Sequence, residues 1–247
     1  MNTLIHGRTV EVTGEHAEEA LQSHIFTEWK KRLSPWFSVR KIEFQSVDFT
    51  RHEPRRVIFA KFKAEVYDNE GKLVMPGIVF LRGGAVAMLV VFHCEGEEYT
   101  VLTNQPRFAS GSSSFPEIAA GMLDGEGNFA GVAAREMEEE LGITIKTDEL
   151  VDLTHLANSN NWPGMFPSPG ACDEFIRIFL YEREITREKL EEFRGKTTGL
   201  ASENERIKLS VIPLRMLPFL TPDGKSLAAY CLYLATGRAH PSADSQV

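Results

Sequence analysis

Eight consecutive apolar residues, "AVAMLVVF" (85–92), constrain this chain more than any other stretch. A short apolar run with no polar alternation predicts a β-strand covered on both faces. An earlier segment has a different rhythm. In "VIFAKFKAEV" (57–66), Ile58, Ala60, Phe62, Ala64 and Val66 fall on one side, which predicts a strand with a single buried face. The change of pattern near Gly83–Ala85 predicts a smaller domain over residues 1–84 and a larger one over 85–247.

The remaining segments alternate between helix and strand signals. "EHAEEALQSHIFTEWKKRL" (15–33) predicts a helix, with Pro35 just past its end. "CEGEE" joins the apolar run to "YTVLTNQ" (99–105) as a hairpin. "ASGSSSFP" (109–116) has the composition of a loop. A helix is expected from about Asn128 to Leu141, capped by Gly142. Strands follow at 175–184 and 207–214, with a short helix at 187–193 and a polar, glycine-containing loop at 194–205 between them. A closing helix over 224–238 leads into a frayed tail. The mixture is α/β or α+β.

Composition narrows the class. The 247 residues are 43% hydrophobic and 25% charged, ordinary for a globular chain. A formal charge of −8 argues against nucleic acid or an anionic membrane as partner, so an anionic substrate needs local help such as metal ions. Cys94, Cys172 and Cys231 are scattered and form no CxxC, which suggests neither a disulfide framework nor a thiolate zinc site. No apolar run approaches the roughly 18–20 residues needed to span a bilayer. The first residues lack an apolar h-region and carry acids early. A reducing, cytoplasmic setting is therefore expected.

"REMEEELG" (135–142) packs four glutamates around one arginine. At helical spacing Ala133, Met137 and Leu141 form an apolar stripe, while Glu136, Glu139 and Glu140 share a neighbouring arc. Like charges four apart cost roughly 0.2–0.5 kcal/mol per pair. A solvated acidic face is one reading, but such faces usually interleave lysine, and this one does not. The other is an oxygen-ligand site for a hard divalent cation, Mg²⁺ or Mn²⁺.

The longer stretch "GMLDGEGNFAGVAAREMEEELGI" (121–143) resembles the Nudix box. Gly121, Arg135, Glu136, Met137, Glu139, Glu140, Gly142 and Ile143 match in type and spacing. One position departs: Gly127 stands where the box has its first glutamate, with Glu126 beside it. "PGIVFLRGGAVAMLVVF", "VLTNQPRF", "EIAAGMLD", "FPSPGACDE" and "GKTTGLASENERIKL" resemble the ADP-sugar diphosphatase branch of Nudix hydrolases, in its plant type. Relatives there cleave ADP-ribose and UDP-sugars.

The resemblance implies a Nudix α/β/α sandwich with a smaller N-terminal β-rich domain, and a homodimer whose N-terminal domains help build the sites. It implies metal-dependent hydrolysis of a nucleotide sugar to a nucleoside monophosphate and a sugar phosphate. The metal ligands would be Glu136, Glu139, Glu140 and the carbonyl of Ala120, with Arg135 bracing the carboxylates. Arg107 matches an arginine near the substrate phosphates, although a surface arginine after a strand has the same local look. The general base would be Glu205, with Glu203 as the alternative. Glu174 is a candidate for metal or substrate binding, and Cys172 beside it for packing. The seven histidines show no ligand spacing. A binding module that has lost turnover, and a Nudix hydrolase of other nucleoside diphosphate derivatives, stay open.

Overall fold

The computed structural model describes residues 1–51, 54–75, 77–123, 128–158, 162–200 and 206–237. Glu203 and Glu205, Glu126 and Gly127, and the expected frayed tail lie outside them. The chain divides into two compact units, Met1–Gly84 with Ser168–Phe175, and Ala85–Pro167 with Ile176–Val247.

The first unit is a five-stranded sheet in sequence order, β1 (Asn2–Ile5), β2 (Arg8–Thr13), β3 (Ser38–Phe49), β4 (Val57–Tyr67) and β5 (Ile78–Leu81). Only β2 and β3 run parallel. Their connection carries α1 (Ala17–Gln22) and α2 (His24–Arg32), which contribute Ala17, Ala20, Ile25 and Phe26 to the same core as Ile42, Phe44, Ala60 and Phe62. Alternation in β4 buries Ala60 and Phe62. The expected single helix over 15–33 is two. Ser23 adopts extended backbone, and its hydroxyl oxygen accepts from Phe26 N–H while donating to the Ala20 carbonyl at 2.6 Å. One serine thus ends a helix and N-caps the next.

The second unit is an eight-stranded sheet. Its main path runs β10 (Leu150–Asp152), β11 (Phe175–Glu184), β6 (Gly84–Cys94), β7 (Glu97–Arg107), β13 (Ile207–Pro213) and β12 (Thr197–Thr198). The strand β8 (Ser112–Glu117) pairs with β7, and β9 (Ala119–Met122) pairs with β6. Residues 85–92 are buried along their whole length. Val86, Met88, Val90 and Phe92 pack with Val132, Ala133, Met137 and Leu141. Ala85, Ala87, Leu89 and Val91 pack on the other face with Leu153, Leu217, Ala229 and Tyr233. Period-2 alternation of an all-apolar strand feeds two cores, which is the physical content of an α/β/α layering. The helices are α3 (Phe129–Glu136) on the first face, α4 (Leu153–Asn158), α6 (Leu217–Leu220) and α7 (Gly224–Ala235) on the second, and α5 (Arg187–Glu191), whose Leu190 packs with α3. The β6–β7 hairpin closes on Glu95-Gly96, both at positive φ between the paired Cys94 and Glu97. Two left-handed residues match the twist of the flanking strands.

The serine-rich stretch expected as a loop is largely β8. Its register sets Gln105 opposite Phe115 and Thr103 opposite Glu117. Immediately afterwards the chain changes partner, and Ala119 pairs with Met88. Ile118 lies between the two ladders. Its N–H donates instead to the Ser226 hydroxyl at 3.0 Å, and Ser226 is fully buried. Ser226 in turn donates to Asp223, the N-cap of α7, and Thr221 donates to the Pro116 carbonyl. The start of α7 thus fixes the backbone that leads into β9.

Ser226→Ala leaves the Ile118 N–H buried and unsatisfied. The expected loss is about 1–3 kcal/mol of stability, read from chemical denaturation. A change within roughly 0.5 kcal/mol, typical of a surface site, would show that this clamp is dispensable.

Candidate active site

The acidic segment begins on α3. Asn128 N-caps the helix by accepting from Gly131 N–H at 3.0 Å. After Glu136 the helix widens into a π turn over Met137–Leu141, where i→i+5 bonding replaces i→i+4. Gly142 ends it at φ 68, with its N–H on the Glu138 carbonyl and the Ile143 N–H on the Met137 carbonyl. A left-handed residue there suits glycine. Ala133, Met137 and Leu141 are all buried, as their spacing predicts. Each residue of a π turn rotates less than in an α-helix, so the carboxylates after Glu136 are re-aimed from the arc that α-helical spacing gives.

Glu140 is the buried member, 6% exposed. One oxygen accepts from the Ala120 N–H at 3.1 Å, the other from Gln105 Nε2 at 3.3 Å. The turn is therefore tied to β9 and β7 through a single carboxyl group. Burial, and next the charge of Glu136, push the Glu140 carboxyl up from an ordinary 4.5 to about 8. The hydrogen bond from Ala120 opposes the shift and the charge of Glu117 adds to it. The main chain is held as well: Thr198 Oγ1 donates to the Glu140 carbonyl, and Gly199 N–H to the Glu139 carbonyl at 3.2 Å.

Glu136 explains the glycine fourteen residues before Arg135. A Cβ built on Gly121 would stand 2.0 Å from Glu136 Oε1 and 2.1 Å from its Cδ. The Glu136 carboxylate occupies the space that a side chain at 121 would fill. Glu136, Glu140, Ala120 and Gly121 thus form one assembly. Glu139 is half-buried and joined to it through the backbone, and Arg135 is exposed on the last turn of α3. Arg107 ends β7 and is held through Nε by Glu117 at 2.6 Å. Glu174 belongs to the first unit, where it accepts from Arg82 Nε at 2.6 Å. Beside it, the buried Asp173 accepts from Arg82 N–H, Gly83 N–H and Arg32. Burial pushes the Cys172 thiol up, which disfavours the reactive thiolate.

Gln105, Glu117, Thr198 and Lys225 carry much of this geometry, and no local pattern marks them. Their partners lie 35, 10, 58 and 108 positions away. The carboxylates of Glu136 and Glu140 themselves offer oxygen ligands, the chemistry of a hard divalent cation. A cation there would offset the repulsion between the Glu140 carboxyl and the nearby Glu136 charge. Among the described residues no three ligating side chains yet converge on one point; both Glu140 oxygens are engaged with protein donors.

Residues 81–227 match the NUDIX domain. The chain belongs to the NUDIX family and is a Nudix hydrolase. It is 38% identical over 234 residues to Nudix hydrolase 14, chloroplastic, of Arabidopsis thaliana, covering 91% of this chain and 74% of that one. It is 28% identical over 193 residues to the ADP-ribose pyrophosphatase of Haemophilus influenzae, covering 74% and 80%. A solved ADP compounds hydrolase aligns over 82% of this chain and 99% of its own, at 15% identity and a TM-score of 0.47. Among the described residues no helix is long and apolar enough to cross a membrane.

Gly121→Ala forces the Glu136 side chain, from Cγ outward, away from β9. The fold should keep its thermal midpoint while turnover falls roughly 100-fold, the scale of an ångström-level misplacement. Unchanged turnover would mean that the Glu136 carboxylate has no set position to lose.

Glu140 also sets a pH trend. Its folded value lies above its ordinary one, so its contribution is full below about pH 4.5 and is lost as pH rises through about 8. In chelator, wild type should lose stability across that window relative to Glu140→Gln. Parallel curves for the two proteins would contradict the burial of this acid.

Proposed function

We propose that this Nudix hydrolase cleaves the diphosphate bond of a nucleotide sugar of the ADP-ribose or ADP-glucose type, with Mg²⁺ or Mn²⁺, to give AMP and a sugar phosphate. The observation that carries the reading is the Glu140 carboxyl, buried beside Glu136 and clamped between β7 and β9. The names of the Arabidopsis and Haemophilus relatives support the reaction class, and the Haemophilus one supports the ADP-ribose moiety.

Glu136, Glu139, Glu140 and the Ala120 carbonyl would hold the cation. When bound, it supplies charge neutralisation at the diphosphate and activation of the attacking water. Arg135 braces the carboxylates, and Arg107 and Glu174 contact substrate. The proton from water goes to a loop carboxylate, Glu205 in preference to Glu203. Ligand carboxylates are poor bases because a bound cation lowers their proton affinity. Thr198 and Gly199, which precede Glu203 and Glu205 in the chain, are hydrogen-bonded to the backbone of Glu140 and Glu139; this supports a base from this part of the chain without choosing between the two. Residues 1–84 serve dimerisation and substrate contacts in the same proposal. The scattered thiols suit a reducing compartment, the cytoplasm or the chloroplast stroma.

A panel of ADP-ribose, ADP-glucose and UDP-glucose with Mg²⁺ or Mn²⁺, with products separated by chromatography, tests the reading. AMP and sugar phosphate from the ADP compounds are expected; binding without cleavage of any of them would leave a binding module. Glu139→Gln and Glu140→Gln should each lower kcat at least ~100-fold. Glu205→Gln should lower kcat by ~10²–10⁴-fold with substrate affinity nearly kept, and Glu203→Gln far less. The reverse order would move the base two residues.

A further inference from the structure

The Glu117 side chain is 3% exposed and sits between two cations from distant parts of the chain. Its Oε1 accepts from Arg107 Nε at 2.6 Å, and its Oε2 accepts from Lys225 Nζ. Lys225 is in the first turn of α7 and also pairs with the N-cap carboxylate of Asp223 at 3.1 Å. Asp223 is fixed in turn by the N–H and hydroxyl of Ser226. The series runs from the start of α7, through Lys225 and Glu117, to the end of β7. Each member restrains the next. Because Lys225 holds one oxygen of Glu117, the carboxylate cannot rotate freely, and its other oxygen stays aimed at Arg107.

How Arg107 is held matters more than that it is held. Among the described residues its only side-chain hydrogen bond is the one through Nε. No described residue is hydrogen-bonded to Nη1 or Nη2, the prongs of the guanidinium fork, and the side chain is 42% exposed against 12% for Lys225. A register irregularity between Gln105 and Arg107 turns the strand at this point. Two parallel N–H groups on a planar fork match two oxygens of a phosphate group. A guanidinium pinned at Nε offers that fork without first losing its own rotational freedom. Arg107 and Glu117 alone would be neutral as a pair. Lys225 and Asp223 complete two further charges of opposite sign, so the Glu117 carboxylate is paired on both oxygens and is not a bare acid beside an anionic ligand.

We propose that Glu117 is a positioning residue for the substrate diphosphate: with Lys225 at its second oxygen, it pins Arg107 through Nε and presents the two terminal amino groups to a phosphate. The inference rests on the proposed role of Arg107 in substrate binding and deepens it. Neither Glu117 nor Lys225 would touch the substrate.

The test is the affinity of the full chain for ADP-ribose, measured by calorimetry in chelator so that turnover does not interfere. Arg107→Ala should weaken binding about tenfold or more, the scale of losing a charge-assisted pair. Glu117→Gln should weaken it comparably, because its amide would have to meet Lys225 with its NH₂ group while offering oxygen to Arg107. Adding Arg107→Ala to Glu117→Gln should cost nothing further, since both act through one guanidinium. Glu117→Gln with Lys225→Met should recover most of the affinity, because the amide oxygen can again accept from Nε without an opposing ammonium. That double variant removes both buried charges together, so it also keeps the test valid if a single variant folds poorly. Arg107→Lys should not rescue, as it keeps the charge but loses both the pin and the fork. Additive losses, or a Glu117→Gln/Lys225→Met protein worse than either single variant, would overturn the positioning role while leaving Arg107 as a substrate contact. An Arg107→Ala protein with unchanged affinity would overturn the substrate role of Arg107 and the relay with it.

Discussion

The burial of one carboxyl group, Glu140, organises the site. Taking an acid out of water beside a second acid is unfavourable unless it is protonated, hydrogen-bonded or neutralised. The fold supplies two hydrogen bonds, from Ala120 and Gln105, and burial with the nearby Glu136 charge pushes the carboxyl up to about 8, favouring its neutral form. Those two donors come from β9 and β7, so the position of the acidic turn is set by the sheet rather than by the helix alone. The glycine at 121 extends the same logic. It leaves room for the Glu136 carboxylate directly against the β9 backbone.

The sheet can do this because β6 is buried on both faces. Its alternate side chains anchor α3 on one side and α7 on the other, and its first half carries β9 as a ladder partner. The two helices then contribute different chemistry to neighbouring stretches of strand. The end of α3 brings the carboxylates to Ala120 and Gly121. The start of α7 brings Ser226 to Ile118 and Lys225 to Glu117. Residues 117–121, five positions of backbone, are thereby contacted from both layers. The acidic side chains thus reach Ala120 and Gly121 from the end of α3, and the ammonium of Lys225 reaches Glu117 from the start of α7.

Much of this was legible in the sequence because it is local or periodic. The all-apolar run gave the central strand, the i, i+4, i+8 stripe gave the buried face of the acidic helix, and Gly142 marked its end. The Nudix box itself is legible because it lies in one contiguous segment, 121–143. What the sequence hid depends on tertiary partners. "SSSFPE" has loop composition, yet it becomes β8 because β7 offers it a ladder, an instance of context overriding propensity. Ser23 looked like an interior helix position and is a cap. The π turn has no composition signal. Glu117 and Lys225 are 108 positions apart, and no spacing rule joins them. The Arg82–Glu174 ion pair, 92 positions apart, is another such partnership, with Glu174 in the Ser168–Phe175 segment that joins the first unit.

Burial beside Glu136 pushes the Glu140 carboxyl up to about 8, so a cation bound there, as proposed, would compete with its proton near pH 7. Metal binding must then expel that proton. Calorimetric titration of Mg²⁺ or Mn²⁺ near pH 7, repeated in buffers of different ionisation enthalpy, counts the protons released. The account predicts release of about one proton per site in wild type, falling to near zero in Glu140→Gln. Metal binding without proton release in wild type would contradict it.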